Sequence, residues 1–120
     1  MLKLSGVTKS LDFEFTDVDG EVHDLKVTQY SIKDNIRLID FQKPISEMKD
    51  EDVSMMERNE LLLSSRIVCA VKTESGDYFW KSVDDFTGKG YPNSLLDSLA
   101  DVVLDLNPYP VSITEKKSKS

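Results

Sequence analysis

Apolar and polar residues alternate over residues 10–18, where Leu11, Phe13 and Phe15 interleave with Asp12, Glu14 and Thr16. A period of two puts one face on a core and the other in water, so this stretch predicts a half-buried strand. Asp19-Gly20 follows as a turn, and Leu25 and Val27 mark a second strand over residues 21–27. Register fixes the loop between them. A two-residue loop at Asp19-Gly20 sets Phe15 opposite Asp24 and Phe13 opposite Lys26, which mixes the faces. A three-residue loop, Val18-Asp19-Gly20, sets Phe15 opposite His23, Phe13 opposite Leu25 and Leu11 opposite Val27, which keeps the apolar positions together. It also places Gly20 at the left-handed position such a loop requires.

The spacing then becomes helical. Ile32, Ile36 and Ile39 predict a helix over residues 28–43, opened by Ser31 with Asp34 three residues on and ended by Pro44. Residues 46–72 predict a longer helix, capped by Ser46 or Asp50, with Glu47, Glu51 and Asp52 where the helix dipole favours acids. Its stripe is Val53, Met56, Leu63 and Ile67, widened by Leu61 and Leu62. Its end is β-branched and leans toward a strand. A turn over residues 74–77 leads to Tyr78-Phe79-Trp80, expected as a short aromatic strand paired with residues 68–72. Residues 82–86 predict a capped single turn, and Gly88, Gly90 and Pro92 break the chain. Over residues 93–106, Leu95, Leu96, Leu99, Val102, Val103 and Leu106 share one helical face and Asp97, Asp101 and Asp105 another. Ser94, followed by Asp97, marks the start and Asn107-Pro108 the stop.

The fold class expected is therefore α+β: an N-terminal antiparallel β-hairpin, two central helices, a short aromatic strand and a C-terminal amphipathic helix. One domain spans residues 1–110, and a basic tail over residues 111–120 is expected to be disordered. A chain of 120 residues buries roughly two-thirds of its unfolded surface and needs no staples. With one cysteine, no disulfide forms within it. The longest apolar run, residues 67–71, is far short of the roughly 20 residues that cross a bilayer. No signal-peptide core is visible at the N-terminus, so a soluble cytosolic protein is expected.

Charge narrows the partners. Fifteen basic and 22 acidic residues give −7; setting aside residues 115–120, one Glu and three Lys, leaves 12 against 21 and a body charge of −9. Such a body is a poor nucleic-acid ligand, because phosphate neutralisation needs Lys and Arg on the contact face. It also disfavours an anionic membrane and favours a basic or uncharged partner.

Little of the chain suggests catalysis. His23 is the single histidine, and a strand residue across from Phe15 explains it better than a general base. Cys69 lies in the apolar run and reads as a small buried hydrophobe. One His and one Cys cannot complete a structural zinc site. Asp17-Val18-Asp19-Gly20 resembles part of a calcium loop, but Phe15 and Lys26 occupy the terminal ligand positions. Gly88-Lys89-Gly90 lacks the P-loop spacing. No enzyme activity, metal or cofactor is expected, although Asp84, Asp85 or Asp97 would be the carboxylates of a metal enzyme. Asp97, Asp101 and Asp105 stand four apart without Lys or Arg between them, either as a solvated face or as a docking surface for a basic partner. Asp84 and Asp85 add to that acidity. Phe79 and Trp80, with Tyr78, Phe86 and Tyr91, are either core residues or a binding platform.

Arg58-Asn59 leads into Leu61-Leu62-Leu63-Ser64-Ser65. An acidic, Gly-containing turn over residues 74–77, an aromatic strand ending at Trp80, the acidic turn Val83-Asp84-Asp85-Phe86 and a leucine-rich helix closing on Leu106-Asn107 follow. In this order, residues 55–108 resemble the tail assembly chaperones of long-tailed bacteriophages. The resemblance implies a non-catalytic protein that binds the tape measure protein, keeps it soluble and recruits tail tube subunits. It implies a place in the host cytoplasm and absence from the finished virion. Many members have a longer frameshifted form, and Lys116-Lys117 is compatible with a slippery stretch. Two apolar-faced helices suit coating another helix, and they also suit self-association. The competing expectation is an unrelated cytosolic interaction adaptor with an acidic docking helix.

Overall fold

The structure, a computed structural model, describes residues 1–108. The expected tail over residues 111–120 lies outside the described residues. Residues 1–9 form an exposed arm without regular structure. Strands β1 (Ser10–Thr16) and β2 (Val22–Thr28) form the antiparallel hairpin, in the expected register: Phe15 faces His23, Phe13 faces Leu25 and Leu11 faces Val27. Asp17 N–H donates to the Glu21 carbonyl at 2.8 Å, which leaves the three-residue loop Val18-Asp19-Gly20, and Gly20 has φ 85°. A side chain there would be strained, so glycine is required.

Helix α1 (Ile32–Ser46) opens on a complete capping box: Ser31 Oγ accepts from Asp34 N–H at 3.1 Å, and Asp34 accepts from Ser31 N–H at 2.9 Å. Pro44 does not end it. The helix runs two residues further, because the missing N–H falls in the last turn, where Pro44 and Asp40 are both exposed. The apolar stripe faces away from the core. Ile32, Ile36 and Ile39 are exposed, and the inward residues are Asp34, Leu38 and Ile45.

The second helix is shorter than its pattern suggested. Residues 47–54 form a loop and α2 spans Met55–Ala70, capped by Ser54, whose Oγ accepts from Glu57 N–H at 3.1 Å; neither Ser46 nor Asp50 caps it. Arg58 holds the loop by donating to the carbonyls of Ile45, Ser46 and Met48, at 3.3, 3.1 and 2.6 Å, and to Asp50 at 3.1 Å. One guanidinium thus satisfies acceptors that the end of α1 exposes. Val53 is buried from the loop, while Met56 points out.

Helix α2 passes directly into β3 (Val71–Thr73), which adds antiparallel to β2 and gives the sheet order β1-β2-β3. The strand expected at residues 78–80 is reduced to a single bridge, Lys72 to Tyr78. The next carbonyls, of Trp80 and Lys81, accept from Arg37 at 3.2 and 2.9 Å instead of a neighbouring strand. Helix α3 (Val83–Thr87) is the expected capped turn, with Ser82 as cap. Helix α4 (Asn93–Leu106) starts from Pro92, not Ser94, and ends at Asn107. Asn107 also binds the strand side: it accepts from Tyr30 N–H at 2.7 Å and donates to the Thr28 carbonyl at 3.1 Å. The mixed content confirms the α+β class. One hydrophobic cluster joins the sheet (Phe15, Leu25, Val27), α2 (Ile67, Val68), Trp80, Phe86 and α4 (Leu99, Val103).

Candidate functional site

Among the described residues, two apolar features stand out on the surface without a packing partner. The first is a ridge on α1. Ile32, Ile36 and Ile39 are 84, 57 and 58% exposed, and their i, i+4, i+7 spacing lines them along one helical face. Lys43 continues the line, with Lys33 and Asp40 to one side. Burying one such side chain is worth roughly 1.5–3 kcal/mol, so a fold that leaves three in water leaves that stabilisation to another contact.

The second is a trough between the first half of α2 and the start of α4. Its volume is about 360 Å³, and it is lined by the apolar Met55, Met56, Leu63 and Leu96 and the polar Asn59, Glu60, Asn93 and Asp97. A recess of about 280 Å³ continues it past Glu57 and Leu61 to Phe86 and Tyr91. Met55 and Met56 are 81 and 72% exposed. Methionine adapts its shape to different partners, which suits a surface for side chains not fixed in advance. The trough exists because α2 begins at Ser54. Its first turn carries both methionines outward while Ile67, Val68, Cys69 and Ala70, at the other end, are wholly buried.

The inner side of α1 is a polar latch. The Asp34 carboxylate is buried and accepts from Lys72 Nζ, from Tyr78 Oη at 2.6 Å and from Ser31 N–H. Lys72 also donates to Thr28 Oγ1 at 2.9 Å. Burial pushes the Asp34 carboxyl up, but the hydrogen bonds from Lys72, Tyr78 and Ser31 outweigh it and hold the group below its usual range. Burial, then the bond to Asp34, raises the Tyr78 hydroxyl to about 12. Arg37 stacks 3.7 Å over the Tyr78 ring and donates to the Val68 carbonyl at 2.7 Å. Every buried polar side-chain atom among the described residues has a partner. The latch therefore reads as a structural tie between α1, β3 and residues 78–81.

The residues singled out from sequence separate into surface and core. Asp97, Asp101 and Asp105 are exposed on α4, and Asp97 borders the trough. Asp84 is exposed in the first turn of α3. Asp85 is half-buried; it accepts from Lys81 N–H at 3.0 Å and lies 3.6 Å from Lys89 Nζ. Trp80 is no docking residue. It is 1% exposed, stands edge-on to Phe15, Phe79 and Phe86, and donates its indole N–H to Tyr91 Oη at 3.1 Å. Tyr91 in turn donates to Asp17 at 2.9 Å. Phe79 is half-buried between His23 and Trp80, a lid on the core instead of a platform. His23 lies across from Phe15, with Nε2 3.9 Å from Asp17. Cys69 is fully buried, and burial pushes its thiol up to about 11, far from a reactive thiolate. Among the described residues no cluster of three or more His, Cys, Asp or Glu forms a metal-binding group, and no helix is long and apolar enough to cross a membrane.

Sequence periodicity grouped Ile32, Ile36 and Ile39 into one stripe and Val53, Met56, Leu63 and Ile67 into another, without separating outward from inward members. The signal that separates them is the competing inward set. Asp34 faces the same way as Leu38, and a capping-box Asp is anchored to the helix entrance. Compared with known protein families, curated proteins and solved structures, the chain matches none.

Proposed function

We propose that this chain is a non-catalytic assembly chaperone that holds an amphipathic helix of a long helical partner. The tape measure protein is that partner and tail tube subunits are recruited to it, as in the phage tail chaperones that residues 55–108 resemble. The observation that carries this reading is the α2–α4 trough. A lining that combines Met55, Met56, Leu63 and Leu96 with Glu60 and Asp97 suits a helix with an apolar stripe and basic flanks. Asp101 and Asp105, exposed further along α4, add negative charge that steers such a partner. The protein acts in the host cytoplasm and leaves before the virion is complete. A general adaptor with an acidic docking helix would use the same trough and the same flank of α4. Co-purification from the cells that naturally express the chain separates the two. A long helical protein together with tail tube subunits supports the chaperone. Unrelated host proteins alone overturn it in favour of the adaptor.

A further inference from the structure

The α1 ridge and the α2–α4 trough fit each other. From Ile32 to Ile39 the ridge is about 10 Å long, and from Met55 to Leu63 the trough floor runs about 12 Å, at 1.5 Å per helical residue. The ridge carries Lys33 and Lys43, with Asp40 as its one exposed acid, while Glu57, Glu60 and Asp97 border the trough and its recess. Two lysines and one aspartate beside the ridge stand against three acids beside the trough and its recess, so the two surfaces carry opposite net charge. We propose that the α1 ridge of one copy seats in the α2–α4 trough of a second copy, head to tail.

Ridge and trough are different surfaces, so the contact is heterologous. Each bound pair retains a free ridge at one end and a free trough at the other, and further copies add. One helix ridge in one groove falls at the small end of specific interfaces, below roughly 1,200 Å², so association depends on concentration. The proposal rests on the trough being a helix-binding site, as in the proposed function. It adds that a second copy occupies the trough until the partner helix displaces it.

The test is sedimentation velocity on the full chain over a range of concentrations, with two variants at exposed positions: Ile36→Glu, which spoils the ridge, and Met55→Glu/Met56→Glu, which spoils the trough. Circular dichroism and melting confirm that both fold. The wild type should sediment as oligomers that grow with concentration, and each variant alone as a monomer. Mixed in equal amounts, the two variants should form a dimer and nothing larger, because the sound trough of one meets the sound ridge of the other. A wild type that stays monomeric throughout, a ridge variant that still associates, or a mixture that stays monomeric overturns the proposal. Capture of the long helical partner is read in parallel. Capture by Ile36→Glu with loss in the trough variant leaves the chaperone reading standing whatever sedimentation shows. Self-association without any capture leaves this contact standing and removes that reading.

Discussion

Helices α1 and α4 are nearly equal in length, 15 and 14 residues, and both contribute to one core, yet they spend their apolar residues in opposite ways. Helix α4 is amphipathic in the ordinary sense: Leu99, Ala100 and Val103 are buried, and Asp97, Asp101 and Asp105 face water. Helix α1 buries Leu38 and Ile45 but also a carboxylate, Asp34, and shows three isoleucines to solvent. A helix held by hydrogen bonds and a salt bridge on its inner side does not need all its apolar residues for the core. The isoleucines are then free to serve contacts with other molecules.

The largest effect should come from breaking the latch. Asp34→Ala leaves the Lys72 ammonium without its carboxylate and removes the acceptor of Tyr78 and of the helix cap; removing one partner of a buried pair costs about 3–5 kcal/mol. Urea unfolding should show a loss of that size, against a much smaller one if α1 is held by Leu38 and Ile45 alone. Arg37→Met should cost about 2 kcal/mol, since one charged donor serves the carbonyls of Val68, Trp80 and Lys81. It should also raise hydrogen exchange around residues 78–81.

Acid should act on the same contact. Because the native pKa of Asp34 lies below its unfolded value, its contribution is complete above about pH 4 and is lost as pH falls through the lowered native value. Stability should therefore fall more steeply below about pH 4 in the wild type than in Asp34→Asn; equal slopes would remove Asp34 from the acid response. The smallest effect on stability belongs to the outer face of α4. Asp97→Lys/Asp101→Lys/Asp105→Lys should keep the melting temperature within about 2 °C, as surface changes do. It should still weaken partner capture and change its salt dependence. Unchanged capture would make these aspartates a solvated face only.

Local chemistry was legible wherever one rule decided the outcome. Register and a left-handed glycine specified the hairpin, the Ser31–Asp34 pair located the start of α1, and Ser82 located the single turn. Errors arose where two rules competed. In α1, the isoleucine period competed with the capping-box Asp34, which meets Lys72 and Tyr78 on the inner side, so the isoleucines face out. In the 46–72 stretch, four acids looked like a helix start, but Arg58 drew the carbonyls at residues 45–48 into a loop and moved the cap to Ser54. Trp80 and Phe79 were ambiguous from composition, and only the packing of Phe15, Phe86 and Tyr91 around them resolved it. The trough lies between elements far apart in sequence and had no local signature.

The outward face of α1 is the centre of this account, and the melting temperature of Ile32→Ser/Ile36→Ser/Ile39→Ser in dilute solution tests it most directly. Serine and isoleucine have about the same helix propensity, so the comparison reads burial alone. If the isoleucines belong to contacts between molecules, the variant should melt within about 3 °C of the wild type, since 1 kcal/mol is worth about 4–8 °C in a domain of this size. A fall of more than about 10 °C would show that the ridge is already covered within the same chain, and would contradict it.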